Sequence, residues 1–163
     1  MNRRAFGFGF LGVVTVLAAA GCGSSAKQSD LLLVSSREGP YAIYAMGSNG
    51  HGQHRLSSDS LPPASGLANI FFQADPAWSA DGQLVAFTST RSGKPQLYSM
   101  HADGTGTRRL TSLAQGAARA SWSPDGERIA FIEDEPGNLW VMRSDGTGAH
   151  QIGGGLANES DPA

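Results

Sequence analysis

The sequence predicts an all-β fold: an incomplete β-propeller of four-stranded blades, about three of them in this chain. The first observation behind this is a repeat. One copy reads Asp75-Pro76-Ala77-Trp78-Ser79-Ala80-Asp81-Gly82, Leu84-Val85-Ala86-Phe87, Gln96-Leu97-Tyr98-Ser99-Met100, Asp103-Gly104-Thr105-Gly106 and Arg109-Leu110-Thr111. The next answers with Ser121-Trp122-Ser123-Pro124-Asp125-Gly126, Ile129-Ala130-Phe131, Asn138-Leu139-Trp140-Val141-Met142, Asp145-Gly146-Thr147-Gly148 and Ile152. An earlier copy lacks the Trp-containing start but keeps Leu31-Leu32-Leu33, Ile43-Tyr44-Ala45-Met46, Asn49-Gly50 and Arg55-Leu56. Trp78 and Trp122 stand 44 residues apart, and Met100 and Met142 stand 42 apart. That period, made of short strands and glycine turns, is the period of propeller blades. The second observation is that nothing beyond residue 30 keeps a helical period; short apolar runs alternate with Gly, Asn, Asp and Pro clusters.

Taken in chain order, residues 1–21 read as a lipoprotein signal peptide. Asn2-Arg3-Arg4 is positive, Ala5 to Ala20 is uncharged and mostly apolar, and Ala19-Ala20-Gly21 supplies small residues before a cut. The apolar stretch is shorter than the roughly 20 residues of a membrane span. Small residues directly before the single cysteine, Cys22, resemble the lipobox of bacterial lipoproteins, although Ala19 stands where that family most often has Leu. The resemblance implies that Cys22 becomes the acylated N-terminus, which attaches the protein to a membrane. Removal of Arg3 and Arg4 takes the formal charge from −2 to −4. No basic run remains that could displace counterions from nucleic acid. One cysteine forms no disulfide within the chain, so packing must supply the stability. Residues 22–30, small and polar, suit a flexible tether.

Residues 31–163 form the partial propeller, with blades at approximately 31–57, 75–111 and 118–153. In a full copy Ala77-Trp78 opens the first strand, Leu84 to Thr88 forms the second, Gln96 to Met100 the third and Thr107 to Thr111 the fourth. Ser123-Pro124-Asp125-Gly126 is a turn in which proline presets φ and glycine takes the left-handed position. Asp81-Gly82, Asp103-Gly104, Asp145-Gly146 and Asn49-Gly50 close hairpins in the same manner. Two hairpins in series make one blade. Leu97 and Ser99 share one face of the third strand, opposite Tyr98 and Met100. Trp78 and Trp122 are expected as wedges between blades.

These residues resemble the TolB-type WD-like repeat: Trp-Ser-Pro-Asp-Gly, an Ile-Ala-Phe strand, a strand with Tyr or Trp and Met, then Asp-Gly. The likeness covers residues 31–57 in part and 75–153 well. It implies a propeller, commonly six-bladed in TolB itself, in the bacterial envelope, and binding rather than catalysis. Asp161-Pro162-Ala163 repeats Asp75-Pro76-Ala77 two periods on, so the chain holds about two and two-thirds blades, against the roughly 4–8 of closed propellers. Two readings stand. One is a truncated copy of a longer propeller. The other is a homodimer completing a six-bladed ring, with Asp161-Pro162-Ala163 beginning the inner strand missing from the partner's first blade.

The turns after strands one and three are nearly uniform among copies, whereas the loops after strands two and four vary and should lie on the opposite face. That variable face is the expected partner-binding surface. It would carry Arg37, Arg91, Lys94, Glu133, Asp134 and Glu135, together with Ile70, Phe71 and Phe72 from the longer connection after the first copy. The partner is expected to be an envelope protein or other surface component. No enzyme is read here. The four histidines do not gather, the Asp-Gly-Thr-Gly turns lack an EF-hand's alternating acids, and Gly104-Thr105-Gly106 lacks a dinucleotide site's third glycine and helix. No Gly-x-Ser-x-Gly elbow occurs, and no cofactor or metal is called for. The alternative is the non-catalytic gating propeller of a prolyl oligopeptidase- or dipeptidyl peptidase-type hydrolase.

Overall fold

Eleven strands in the computed structural model build three antiparallel sheets, and the described residues are 31–36, 41–57 and 72–154. The first sheet is β1 (Leu31–Ser35), β2 (Ala42–Met46) and β3 (His54–Arg55), paired in that order. The second is β4 (Gln73–Trp78), β5 (Leu84–Ser92), β6 (Lys94–His101) and β7 (Arg108–Arg109). The third is β8 (Ala117–Trp122), β9 (Arg128–Glu133), β10 (Leu139–Arg143) and β11 (His150–Gly153). Each sheet is a meander whose neighbours in sequence are neighbours in space. That is the blade predicted from the repeat.

The hairpin turns repeat atom for atom. Ser79 Oγ donates to Asp81 Oδ1 at 2.6 Å, and the same carboxylate oxygen accepts from Gln83 N at 3.0 Å. Ser123 Oγ donates to Asp125 Oδ1, which also accepts from Glu127 N at 2.9 Å. In the second kind of turn, Thr105 N and Thr105 Oγ1 both donate to Asp103 Oδ1, and Thr147 does the same to Asp145. In the first sheet Asn49 Oδ1 takes the carboxylate's place, accepting from His51 N at 3.0 Å. The aspartates therefore organise the backbone of their own turns.

The first strand of each full blade begins earlier than the sequence indicates. β4 starts at Gln73, four residues before Ala77, and its pairing with β5 shifts register between Ala74 and Ala77. Asp75 there has φ 49°. Arg119, 44 residues on, has φ 57° at the matching shift between Ala118 and Ser121. A bulge explains how the strand runs through Asp75-Pro76, ahead of the Ala77 at which the sequence opens it: proline is accommodated where a ladder bond is already lost. The fourth strand is also shorter than expected. After Arg109, Leu110 N donates to Leu97 O at 2.8 Å, and Thr111 Oγ1 accepts from Leu97 N at 2.9 Å, so a side chain continues the ladder.

Two apolar clusters fill the spaces between sheets. Leu32, Ile43, Ala45 and Leu56 of the first sheet meet Trp78, Val85, Phe87, Tyr98 and Met100 of the second. Leu97 and Leu110 of the second meet Ala117, Ile129, Phe131 and Met142 of the third, with Trp122 and Trp140 packed against them. Leu97 thus serves one junction while Tyr98 and Met100 serve the other, as period-2 alternation requires. Phe87 and Phe131 are wholly buried, each worth about 1.5–3 kcal/mol of transfer free energy.

Candidate functional site: the variable-loop face

Backbone bonds between turns separate the two ends of the blades. Ala102 N donates to Gln83 O and Ser144 N to Glu127 O, both at 2.9 Å, which joins the uniform turns at one end. At the other end Asp134 N donates to Gly116 O at 3.2 Å, joining the β9–β10 turn to the connection between the second and third sheets. Lys94 reaches the same connection, its Nζ donating to Ala114 O at 2.6 Å. The fold thus brings Lys94, Asp134 and Glu135 to one end, around residues 114–116.

The residues named from sequence there are not equivalent. Asp134 and Glu135 are exposed. Glu133 is half-buried and engaged in its own hairpin, its Oε2 accepting from Asn138 Nδ2 at 2.9 Å and Trp140 Nε1 at 3.3 Å. The acidic run is therefore a two-residue tip on an anchored base. Arg91 lies over aromatic rings, its guanidinium carbon 4.8 Å from the Tyr98 centroid and 5.6 Å from that of Phe87, within cation–π range. Its Nε donates to Ser89 Oγ at 3.2 Å. Burial pulls the Arg91 pKa down from its ordinary value, and Tyr98 opposes that shift. Phe72 belongs to the start of a blade rather than to a projecting loop: its N donates to Thr90 Oγ1 at 3.0 Å, its carbonyl accepts from Thr90 N at 3.2 Å, and its ring is half-buried. Arg37, Ile70, Phe71 and Cys22 lie outside the described residues.

Sequence reasoning missed Gln96 and Arg108. Gln96 is buried; its Oε1 accepts from Thr111 Oγ1 at 2.8 Å and Leu113 N at 3.1 Å, and its Nε2 donates to Leu113 O at 2.7 Å. This one amide fixes the chain's path from the second sheet to the third. At the uniform end Arg108 donates to Asp145 O at 3.1 Å and Ser144 O at 3.2 Å, tying β7 to the next blade's turn. Neither residue recurs at the repeat period, so the pattern carried no signal for them.

The sequence that folds into these sheets is matched by the family model described as TolB beta propeller domain, over residues 22–162. The chain belongs to the TolB β-propeller domain family. Among curated relatives, the Tol-Pal system protein TolB of Anaeromyxobacter dehalogenans (strain 2CP-C) is 43% identical over 91 residues, which are 54% of this chain and 19% of that protein. The uncharacterized peptidase YuxL of Bacillus subtilis (strain 168) is 48% identical over 56 residues, 34% of this chain and 8% of the relative. The chain thus spans less than a fifth of the length of either. Among solved structures, a putative TolB from Agrobacterium tumefaciens superposes with a TM-score of 0.62 at 21% identity, over 74% of this chain and 44% of that one, a likeness of fold.

Proposed function

We propose that this chain is a lipid-anchored envelope protein that uses its TolB-like blades as a binding scaffold rather than as an enzyme. One contrast carries the reading. The uniform turns spend their polar side chains on their own backbones, as Asp81, Asp103, Asp125 and Asp145 do. The opposite end presents Asp134 and Glu135 to solvent on an anchored frame, to which Lys94 contributes its bond to Ala114 O. Rigid blades with divergent loops at one end make a recognition surface, because little ordering entropy is lost on binding. Similarity to a Tol-Pal system protein supports an envelope setting and a protein partner. The signal-like N-terminus with Cys22 supports export and membrane attachment through lipid. In assembled form, two copies complete a six-bladed ring.

Two measurements test this reading. Intact mass of the membrane-extracted protein should show residues 1–21 lost and an acyl-bearing Cys22, and Cys22→Ser should abolish the added mass. An unmodified Cys22 would end the anchoring reading. The tagged chain should capture an envelope protein, and Asp134→Lys with Glu135→Lys, both at exposed positions, should weaken that capture at least tenfold; undiminished capture would reject the loop face. The similarity to YuxL supports a second reading, a gating propeller beside a hydrolase. A Gly-x-Ser-x-Gly motif encoded in frame downstream would favour it.

A further inference from the structure

Each junction between sheets is closed by the same device. The β6–β7 turn lies on the carbonyl of Leu56, so closely that a Cβ placed on Gly104 would stand 2.2 Å from Leu56 O. The β10–β11 turn lies on Leu110, and a Cβ on Gly146 would stand 3.1 Å from Leu110 O. Under these turns Leu56 is 5% exposed and Leu110 9%. The third residue of this series, after Arg55-Leu56 and Arg109-Leu110, is Gln151-Ile152. Ile152 is 56% exposed. At the opposite end of the array, the β2–β3 turn has the same hydrogen bonding, with Gly50 at φ 79°, yet a Cβ on Gly50 would meet nothing within 4 Å.

The flanking faces match in the same way. On β1 and β2, Leu31, Leu33 and Met46 point away from the cluster that holds Leu32 and Ala45, and are half-buried. On β10, Leu139 and Val141 point away from the cluster that holds Met142, and are likewise half-buried. One face has the residue positions of Val85, Phe87 and Met100; the other has those of Leu97, Ser99 and Leu110, the two sides of an existing junction.

An indole N–H supplies an independent observation. Trp122 Nε1 donates to Ala77 O, on the first strand of the preceding sheet, at 3.2 Å. Trp78 holds the same position one blade earlier and is 4% exposed, but its Nε1 has no hydrogen-bond partner among the described residues. Among the described residues the preceding sheet has three strands and no counterpart of β4. A buried indole N–H left without an acceptor costs about 1–3 kcal/mol, so the site is built for a strand carbonyl. Asp161-Pro162-Ala163 repeats Asp75-Pro76-Ala77, which gives Ala163 the carbonyl that corresponds to Ala77.

We propose that a second copy of this chain occupies both features: its Gly50 turn closes over Ile152 of the first copy, its Leu31–Leu33 face packs on Leu139 and Val141, and its β1 receives the first copy's Asp161-Pro162-Ala163 segment. This deepens the two-copy reading above. The described residues hold three sheets, against the roughly 4–8 blades of a closed propeller. Two copies supply six, with two identical junctions related by a two-fold axis.

The test uses the full chain in mild detergent, two differently tagged copies being co-expressed, co-captured and weighed by native mass spectrometry. The expected result is a two-chain mass. Gly50→Asn keeps a residue tolerant of positive φ but puts a Cβ where the partner's Ile152 carbonyl must come. Ile152→Asp charges an exposed side chain. Each variant should retain its far-ultraviolet circular dichroism and weaken pairing at least tenfold. Mixing the two variants leaves one unaltered junction, so the mixture should pair more strongly than either variant alone, which also shows that both fold. A two-chain mass indifferent to both substitutions overturns this docking while sparing the two-copy reading. A single-chain mass, or a ladder of three and more chains, overturns both. None of these outcomes bears on the loop-face reading, which capture by the Asp134 and Glu135 variants decides separately.

Discussion

Gly104→Ala and Gly50→Ala place the same methyl group in the same kind of turn, so their difference measures the junction alone. Both glycines sit at positive φ, 84° and 79°, where an L side chain costs about 1–2 kcal/mol. At Gly50 that is the whole cost in an unpaired chain, because the new Cβ meets nothing within 4 Å. At Gly104 the Cβ would stand 2.2 Å from Leu56 O and 3.0 Å from Leu56 C, backbone atoms that cannot rotate away. The turn must lift off the first sheet. Overpacking of this kind costs typically about 1–3 kcal/mol more, and lifting the turn uncovers Leu56. The expected losses are therefore about 1–2 kcal/mol for Gly50→Ala and about 2–5 kcal/mol for Gly104→Ala. Urea unfolding followed by tryptophan fluorescence, at a concentration low enough that copies are unpaired, reads both from midpoints and slopes. Equal losses at the two positions would refute the claim that the Asp-Gly turn is a packing element of the next blade.

Gln96→Leu leaves Leu113 N, Leu113 O and the Thr111 hydroxyl without their partner; a loss of about 2–4 kcal/mol is expected, with faster amide exchange at Leu113. Unchanged exchange there would show that the connection is held by other bonds. Arg108→Ala removes exposed bonds to Ser144 O and Asp145 O and a third to the buried Ser99 Oγ, and should cost about 1–3 kcal/mol, read by chemical denaturation. Acid should destabilise the blades through Asp81, Asp103, Asp125 and Asp145. Hydrogen bonds from Ser79, Thr105, Ser123 and Thr147 lead in holding them below the ordinary value of 3.8. A pKa lowered on folding gives stability that is present above 3.8 and lost as pH falls through the lowered values. Asp→Asn at all four positions should therefore flatten the dependence of urea midpoint on pH below 3.8; an unchanged slope would place the acid sensitivity elsewhere.

Strand content, hairpin turns and the blade period were legible in the sequence because they arise from local rules. Period-2 alternation assigns Leu97 and Tyr98 to opposite faces without knowledge of the neighbours, and Asp103-Gly104 and Asp125-Gly126 specify turns whose bonds close within a few residues. The bulge at Asp75 was hidden, since a proline beside a positive-φ residue looks the same whether a strand ends or passes through. Of the proposed loop face, sequence variation pointed to Lys94, Asp134 and Glu135. It could not distinguish Glu133, held by Asn138 and Trp140, or Arg91, laid on Tyr98, because those partners come from cross-strand register.

What the sequence by itself determined is the unit: a four-stranded meander with a fixed turn chemistry, repeated at a set period. What only the tertiary structure decided is how units meet. Gly104 reads as a turn glycine, yet the carbonyl of Leu56 also requires it to be bare, and Leu56 lies 48 residues earlier. Trp78 and Trp122 are the same letter in the repeat, and only the strand that the described residues place beside Trp122 and not beside Trp78 decides whether each N–H has an acceptor. Turn preferences come from the energy of a few adjacent dihedrals, which neighbouring residues set. Junctions come from close packing of surfaces distant in sequence, where a single methyl group or carbonyl settles the fit.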